Sequence, residues 1–166
     1  TILCEALMHY CRIPAQYLRK NFGFFYLPDY DEEIWHQIKS EADKNIRMLK
    51  DGLITGSDKS QLTINTAKDN LSRLPFGDKV KLEAHPFQHI KKFENGTIII
   101  NPPYGIRLGN RKEVESLYKE FGDFLKNRCN GTSAFIYVGD PELRKFIGLK
   151  TTKRTPLVNG KLEGVL

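Results

Sequence analysis

From Asp31 onward the apolar pattern alternates between the 3.6-residue period of a helix and the short apolar runs of strands, and the chain closes on a hairpin signal. Behind Asp31, which can act as an N-cap, Ile34, Trp35, Ile38, Ala42 and Ile46 predict a core-facing helix to about Met48. Residues 51–57 predict a strand running into Asp58. Residues 60–73 predict a helix with Leu62, Ile64, Ala67 and Leu71 on its inner side. Strands are expected at 80–84, 97–100 and 133–139, with an amphipathic helix at 113–128 carrying Val114, Leu117, Tyr118, Phe121 and Leu125. Pro141 suits the first turn of a helix to about Ile147, where its missing N–H costs nothing. Asn159-Gly160 then predicts a turn joining two last strands. Such alternation calls for one α/β domain over residues 1–166, with a mostly parallel sheet, helices on its faces and an antiparallel hairpin at the end.

The first thirty residues are less regular. Ile2, Leu3, Ala6, Leu7 and Tyr10 predict a helix that begins at once behind Thr1, so the chain is expected to be a piece of a longer protein. Residues 12–30 carry breakers at Pro14, Gly23 and Pro28 and a heavy load of aromatics, expected to pack against the sheet. Cys4, Cys11 and Cys129 lack any CxxC spacing. They read as reduced, packed thiols in a cytoplasmic setting rather than a disulfide framework or zinc ribbon. His85 and His89 have a metal-pair spacing, but Pro86 lies between them, so no metal site is expected. The net charge of +6 favours a polyanionic partner.

One stretch carries chemistry. Ile98, Ile99 and Ile100 run directly into Asn101-Pro102-Pro103-Tyr104. In open α/β sheets, ligands bind beyond the carboxyl ends of the strands. Proline fixes φ and has no N–H, so Pro102 and Pro103 make a stiff loop rich in free carbonyl acceptors. Asn101 adds a side-chain carbonyl and Tyr104 a flat face. Two acceptors and a stacking ring suit a planar heterocycle bearing an exocyclic NH2: the acceptors take both protons and turn the nitrogen lone pair toward an electrophile. Methylation of such an amine needs little from the protein beyond this positioning.

Asn101-Pro102-Pro103-Tyr104 resembles the amino-methyltransferase motif of Rossmann-like enzymes that use S-adenosylmethionine (SAM). The following helix, the strand SAFIYVGDPEL and the segment KRTPLVNGKLEGVL resemble the UPF0020 group of THUMP-associated RNA guanine-N2 methyltransferases, which includes bacterial 23S rRNA enzymes. RIPAQYLRKNFGFFYLPDYDEEIW and ITGSDKSQLTINTAKDNL are similar to other parts of that family, so the resemblance spans essentially the whole chain.

The resemblance implies a class I SAM methyltransferase domain in which Asn101, Pro102, Pro103 and Tyr104 hold the target base. It implies that Asp58 reads the SAM ribose, with Ser57 and Thr1 beside the cofactor. It makes RNA, ribosomal RNA first, the partner, and a THUMP-type domain a neighbour upstream. Arg107, Arg111 and Lys112, just beyond the motif, are candidates to grip substrate phosphates. The chain departs from the family in two places. Of the glycine-rich signature Asp-Pro-x-x-Gly-Ser-Gly-Thr only the last residue is present, as Thr1, and the first sheet strand is missing with it. This chain alone is therefore expected to bind SAM poorly. At residues 82–87, His85 and Pro86 stand where the family has an acidic residue near the cofactor adenine. The main reading is methyl transfer to guanine N2. The alternatives are adenine-N6 methylation of DNA or RNA, and a non-catalytic RNA-binding remnant of the fold.

Overall fold

A computed structural model describes residues 1–104, 111–160 and 162–166, in two compact units, Thr1–Pro86 and Phe87–Leu166. In the first unit the elements are α1 (Ile2–Cys11), α2 (Glu32–Lys44), β1 (Thr55–Asp58), α3 (Gln61–Leu71) and β2 (Lys81–Ala84). β1 and β2 are parallel, with Thr55 opposite Lys81 and Asp58 opposite Ala84. The core gathers Leu7, Cys11, Ile13, Leu49, Leu71, Leu74 and Val80. α1 approaches β1 at a bare backbone position: Leu3 Cδ1 lies 2.6 Å from where a Cβ on Gly56 would stand. Two helices start as their sequences predict. Asp31 accepts from the Ile34 N–H at 3.0 Å and Ser60 Oγ from the Thr63 N–H at 3.3 Å, caps worth about 1 kcal/mol each.

Three packing expectations fail in this unit. α2 ends at Lys44 and buries no residue; Ile34 and Ile38 are each 56% exposed. The aromatics of residues 22–30 do not sit in the core either. Phe22, Phe24 and Phe25 pack on Trp35 at centroid distances of 5.1–5.7 Å, and none of them is buried. Mutual stacking satisfies these rings locally, so helical periodicity alone misread α2 as a core helix. Leu62 points outward on the first turn of α3, 76% exposed, while Ile64 and Leu71 carry that helix's burial.

The second unit contains β3 (Thr97–Ile100), α4 (Arg111–Arg128), β4 (Ser133–Ile136), α5 (Arg144–Ile147), β5 (Pro156–Asn159) and β6 (Leu162–Val165). β3 and β4 are parallel, Thr97 opposite Ser133 and Ile100 opposite Ile136. β5 and β6 form the expected antiparallel hairpin. Asn159, the last residue of β5, pairs with Leu162, and Gly160 follows it at φ 63°. The hairpin joins the chain beyond β4 through Val138 and Val165, whose backbones exchange bonds of 2.8 and 3.0 Å. Expected as one strand over 133–139, this segment thus divides into β4 and a short bridge. Val114, Tyr118, Phe121, Phe124 and Leu125 are the buried face of α4. Among the described residues β1 and β3 each pair on one side only.

Candidate active site

The second unit sets Asn101 directly after Ile100, the last residue of β3, at the carboxyl end of a parallel pair. Tyr137 N–H donates to the Ile100 carbonyl at 3.0 Å and ties this end of β3 to the segment following β4. Pro102 is buried, Pro103 and Tyr104 are half-buried, and Asn101 is exposed. The Tyr104 hydroxyl donates to Asn101 Oδ1. The side-chain acceptor that chemistry assigns to a substrate amine is therefore engaged by the motif's own tyrosine. Burial raises the Tyr104 phenol above its ordinary pKa, so it is a neutral donor at physiological pH.

The ring of Tyr104 rests on Gly139. A Cβ there would stand 2.8–2.9 Å from three of its ring atoms. Gly139 is not at positive φ, so its backbone would accept any residue and only the aromatic ring requires glycine. Tyr137 meets Tyr104 edge-on, with centroids 5.8 Å apart and planes at 83°. Tyr137 is itself fixed from the hairpin: its hydroxyl donates to the Leu157 carbonyl at 3.3 Å, and its ring end lies over Gly164, 2.5–2.7 Å from a Cβ position. Beneath, the buried hydroxyl of Tyr118 has no hydrogen-bond partner among the described residues, and its phenol pKa is pushed far up, chiefly by burial. Motif reading missed Gly139, Tyr137 and Gly164, because their roles arise from spatial approach to Tyr104. The one sequence signal was a glycine closing an apolar strand.

Gly139→Ala is expected to dislodge the Tyr104 ring and to slow the methyl transfer that the motif's resemblance implies roughly tenfold or more. In a Tyr104→Ala background the same substitution should cost little, because the ring it supports is gone. Equal losses in both backgrounds, read from single-turnover rates, would separate Gly139 from Tyr104.

Of the expected phosphate contacts, Arg107 lies outside the described residues. Arg111 is engaged: its Nε is 3.1 Å from Glu115 Oε1 and its Nη1 3.2 Å from Asp140 Oδ2. Asp140 also accepts from the Glu142 N–H at 3.0 Å. Lys112 is exposed on the first turn of α4.

In the first unit Asp58 closes β1, half-buried, at the carboxyl end of the other parallel pair. Its Oδ1 accepts from the Ser60 N–H at 2.8 Å, a turn contact that orients the carboxylate and leaves its second oxygen for a ligand. Ser57 is exposed on β1 and Thr1 is the exposed N-cap residue of α1. At the end of β2, Glu83 bridges Lys81 Nζ and His85 Nε2, both at 2.9 Å. His85 Nδ1 faces the Pro86 carbonyl at 3.1 Å. Both ring nitrogens thus meet acceptors, which favours the imidazolium. The bond to Glu83, then that to Pro86, raises the His85 pKa; the bonds from Lys81 and then His85 lower that of Glu83.

The contribution of His85 is complete at low pH and is lost as pH rises through its raised value. That of Glu83 is complete above the ordinary carboxylate range and is lost as pH falls through its lowered value. The pair is therefore intact between the two. An NMR titration should place the His85 midpoint above that of an ordinary imidazole, and Glu83→Gln should bring it down. A midpoint indifferent to that change would deny the coupling.

Two parallel strand pairs alternating with helices, a motif at the carboxyl end of β3 and a terminal antiparallel hairpin define a Rossmann-like α/β protein of the methyltransferase kind. A structure of SMU.472 complexed with SAH superposes with a TM-score of 0.85 at 31% identity, over 98% of this chain and 43% of that one. Over residues 1–166 the chain matches the family UPF0020: RMKL-like, methyltransferase domain, and it belongs to that family. Ribosomal RNA large subunit methyltransferase K/L of Aliivibrio salmonicida is 36% identical over 99% of this chain and 24% of its own length. The Synechocystis protein slr0064 is 34% identical over 100% of this chain and 44% of its own. The chain thus spans less than half the length of these relatives. Among the described residues no helix is long and apolar enough to cross a membrane.

Proposed function

We propose that this chain is a SAM-dependent methyltransferase domain acting on the exocyclic amine of a nucleobase in RNA, with guanine N2 of large-subunit ribosomal RNA as the target. The observation that carries the proposal is Asn101-Pro102-Pro103-Tyr104 at the carboxyl end of β3, with the Tyr104 ring seated on Gly139. Supporting it are the family, the K/L relatives named for ribosomal RNA and the SAH held by SMU.472. As an rRNA enzyme it would work in the cytoplasm, and the greater length of the relatives has room for a THUMP-type RNA-binding domain.

The residues present fit the ribose end of the cofactor only, in keeping with the weak SAM binding expected of this chain alone. Asp58 offers a carboxylate oxygen for the ribose diol at the end of β1, whereas Ser57 beside it is exposed on the other face of that strand. SAM supplies a methyl group made electrophilic by its sulfonium sulfur. The chain's own residues orient the acceptor. Asn101 Oδ1 and the Pro102 carbonyl accept hydrogen bonds from the two amine N–H groups, which withdraws the lone pair from ring conjugation and aims it. Tyr104 holds the base by stacking. Transfer would form one N–C bond, break the S–C bond to the methyl group and release one amine proton to water.

Asn101 Oδ1 has two lone pairs and can accept from the substrate amine beside the Tyr104 hydroxyl, so the hydroxyl and the ring of Tyr104 are tested separately. Tyr104→Phe keeps the ring and frees the acceptor, so methyl transfer should persist within about threefold. Tyr104→Ala removes a stacking face worth about 1–3 kcal/mol per base and should weaken binding by roughly five- to 150-fold. Equal loss in the two variants would assign the role to the hydroxyl and overturn stacking. Methylated adenine in place of methylated guanine would keep the amine chemistry and replace the target base.

A further inference from the structure

The positive charge of the chain is not spread evenly. Residues 1–86 hold twelve Lys and Arg against twelve Asp and Glu, whereas residues 87–166 hold fourteen against eight. The whole excess of +6 belongs to the second unit. Within residues 142–154 alone, Arg144, Lys145, Lys150, Lys153 and Arg154 accompany a single carboxylate, Glu142.

This segment also shapes a groove of about 380 Å³. Arg144 and Lys145 of α5 line it together with Thr151 and Arg154 of the stretch leading to β5. Arg154 is held in place by its Nε donating to Thr151 Oγ1 at 3.0 Å, which leaves the two terminal nitrogens of the guanidinium to bind. Glu142 balances little of the charge: it reaches Lys145 Nζ only at 3.6 Å, with both side chains well exposed. Leu149, 40% exposed, provides an apolar lip suited to a sugar or base beside the charges.

We infer that this groove is a second RNA contact, in which Arg144, Lys145 and Arg154 bind backbone phosphodiesters. The guanidinium forks match phosphate oxygens, and the charge excess favours a polyanion over an acidic side-chain partner of low charge density. The inference rests on the RNA methyltransferase reading for the identity of its ligand and adds phosphate contacts apart from Arg107, Arg111 and Lys112.

The test compares two charge-matched variants of the full-length protein binding fluorescein-labelled oligouridylate across a salt series. One is Arg144→Ala/Lys145→Ala/Arg154→Ala. The other is Lys44→Ala/Lys50→Ala/Lys68→Ala, three exposed cations of the first unit. The groove variant should bind roughly tenfold more weakly, with its log K against log salt slope shallower by about 2, since each single-strand phosphate contact contributes about 0.7. The control should keep the parental slope, and both should keep the parental circular dichroism. Equal losses in the two variants would mean diffuse attraction and overturn the groove, as would an unchanged slope in the groove variant. Methylated-nucleoside analysis reads the methyltransferase assignment separately, so a protein that binds through the groove yet transfers no methyl group would refute that assignment alone.

Discussion

Asn101→Ala should abolish methyl transfer, with kcat falling by a factor on the order of 10² to 10³, the scale of losing one preorganised hydrogen-bonding group at a reacting centre. Asn101 Oδ1 is exposed at the end of β3, and the hydroxyl it accepts from belongs to the same motif. Loss of this acceptor leaves one amine proton unbound and the lone pair in conjugation. No core contact is removed, because Asn101 is not buried. The KM for RNA should stay within about threefold, since phosphate contacts dominate nucleic-acid affinity. Rapid-quench turnover alongside equilibrium RNA binding separates the two quantities. Weakened RNA binding with unchanged turnover would place Asn101 in recognition rather than chemistry.

The largest structural effect is expected at Gly122 in α4. It is buried, and a Cβ there would stand 1.9 Å from the Ile147 carbonyl oxygen and 2.7 Å from its carbon. On an open helix surface, replacing glycine by alanine gains up to about 1 kcal/mol. Here the added methyl meets backbone, which cannot rotate away, so α4 and the end of α5 must part. The cluster of Val114, Tyr118, Leu143 and Ile147 would open with them. Overpacking should win by about 3 kcal/mol, lowering Tm by roughly 10 °C in a chain of this size. Thermal unfolding by circular dichroism checks it, and a raised Tm would contradict the close approach of α4 and α5.

The order of elements was legible because each carries its own local signal. Asp31 and Ser60 cap where capping chemistry predicts, and Val114, Tyr118, Phe121 and Leu125 hold the inner face of α4. The chemical motif was legible for a related reason, since prolines, an amide and an aromatic ring after a strand have few other uses. Packing was less legible. Ile34 and Ile38 have the periodicity of a core stripe but remain exposed, because periodicity records which side of a helix is apolar and not what covers it. The support of Tyr104 was invisible for a complementary reason. Gly139 lies 35 residues along the chain from Tyr104, and its role exists only in the space above its missing side chain.

The central claim is amine methylation of a base in RNA. The most direct measurement supplies SAM and unmodified ribosomal RNA to the full-length protein, with duplex DNA in parallel, digests the products to nucleosides and weighs them. Guanosine methylated at N2, from RNA and not from DNA, is the predicted result. Methyl groups found only on carbon, ring nitrogen or ribose would contradict the role of Asn101 and Pro102, and with it the account.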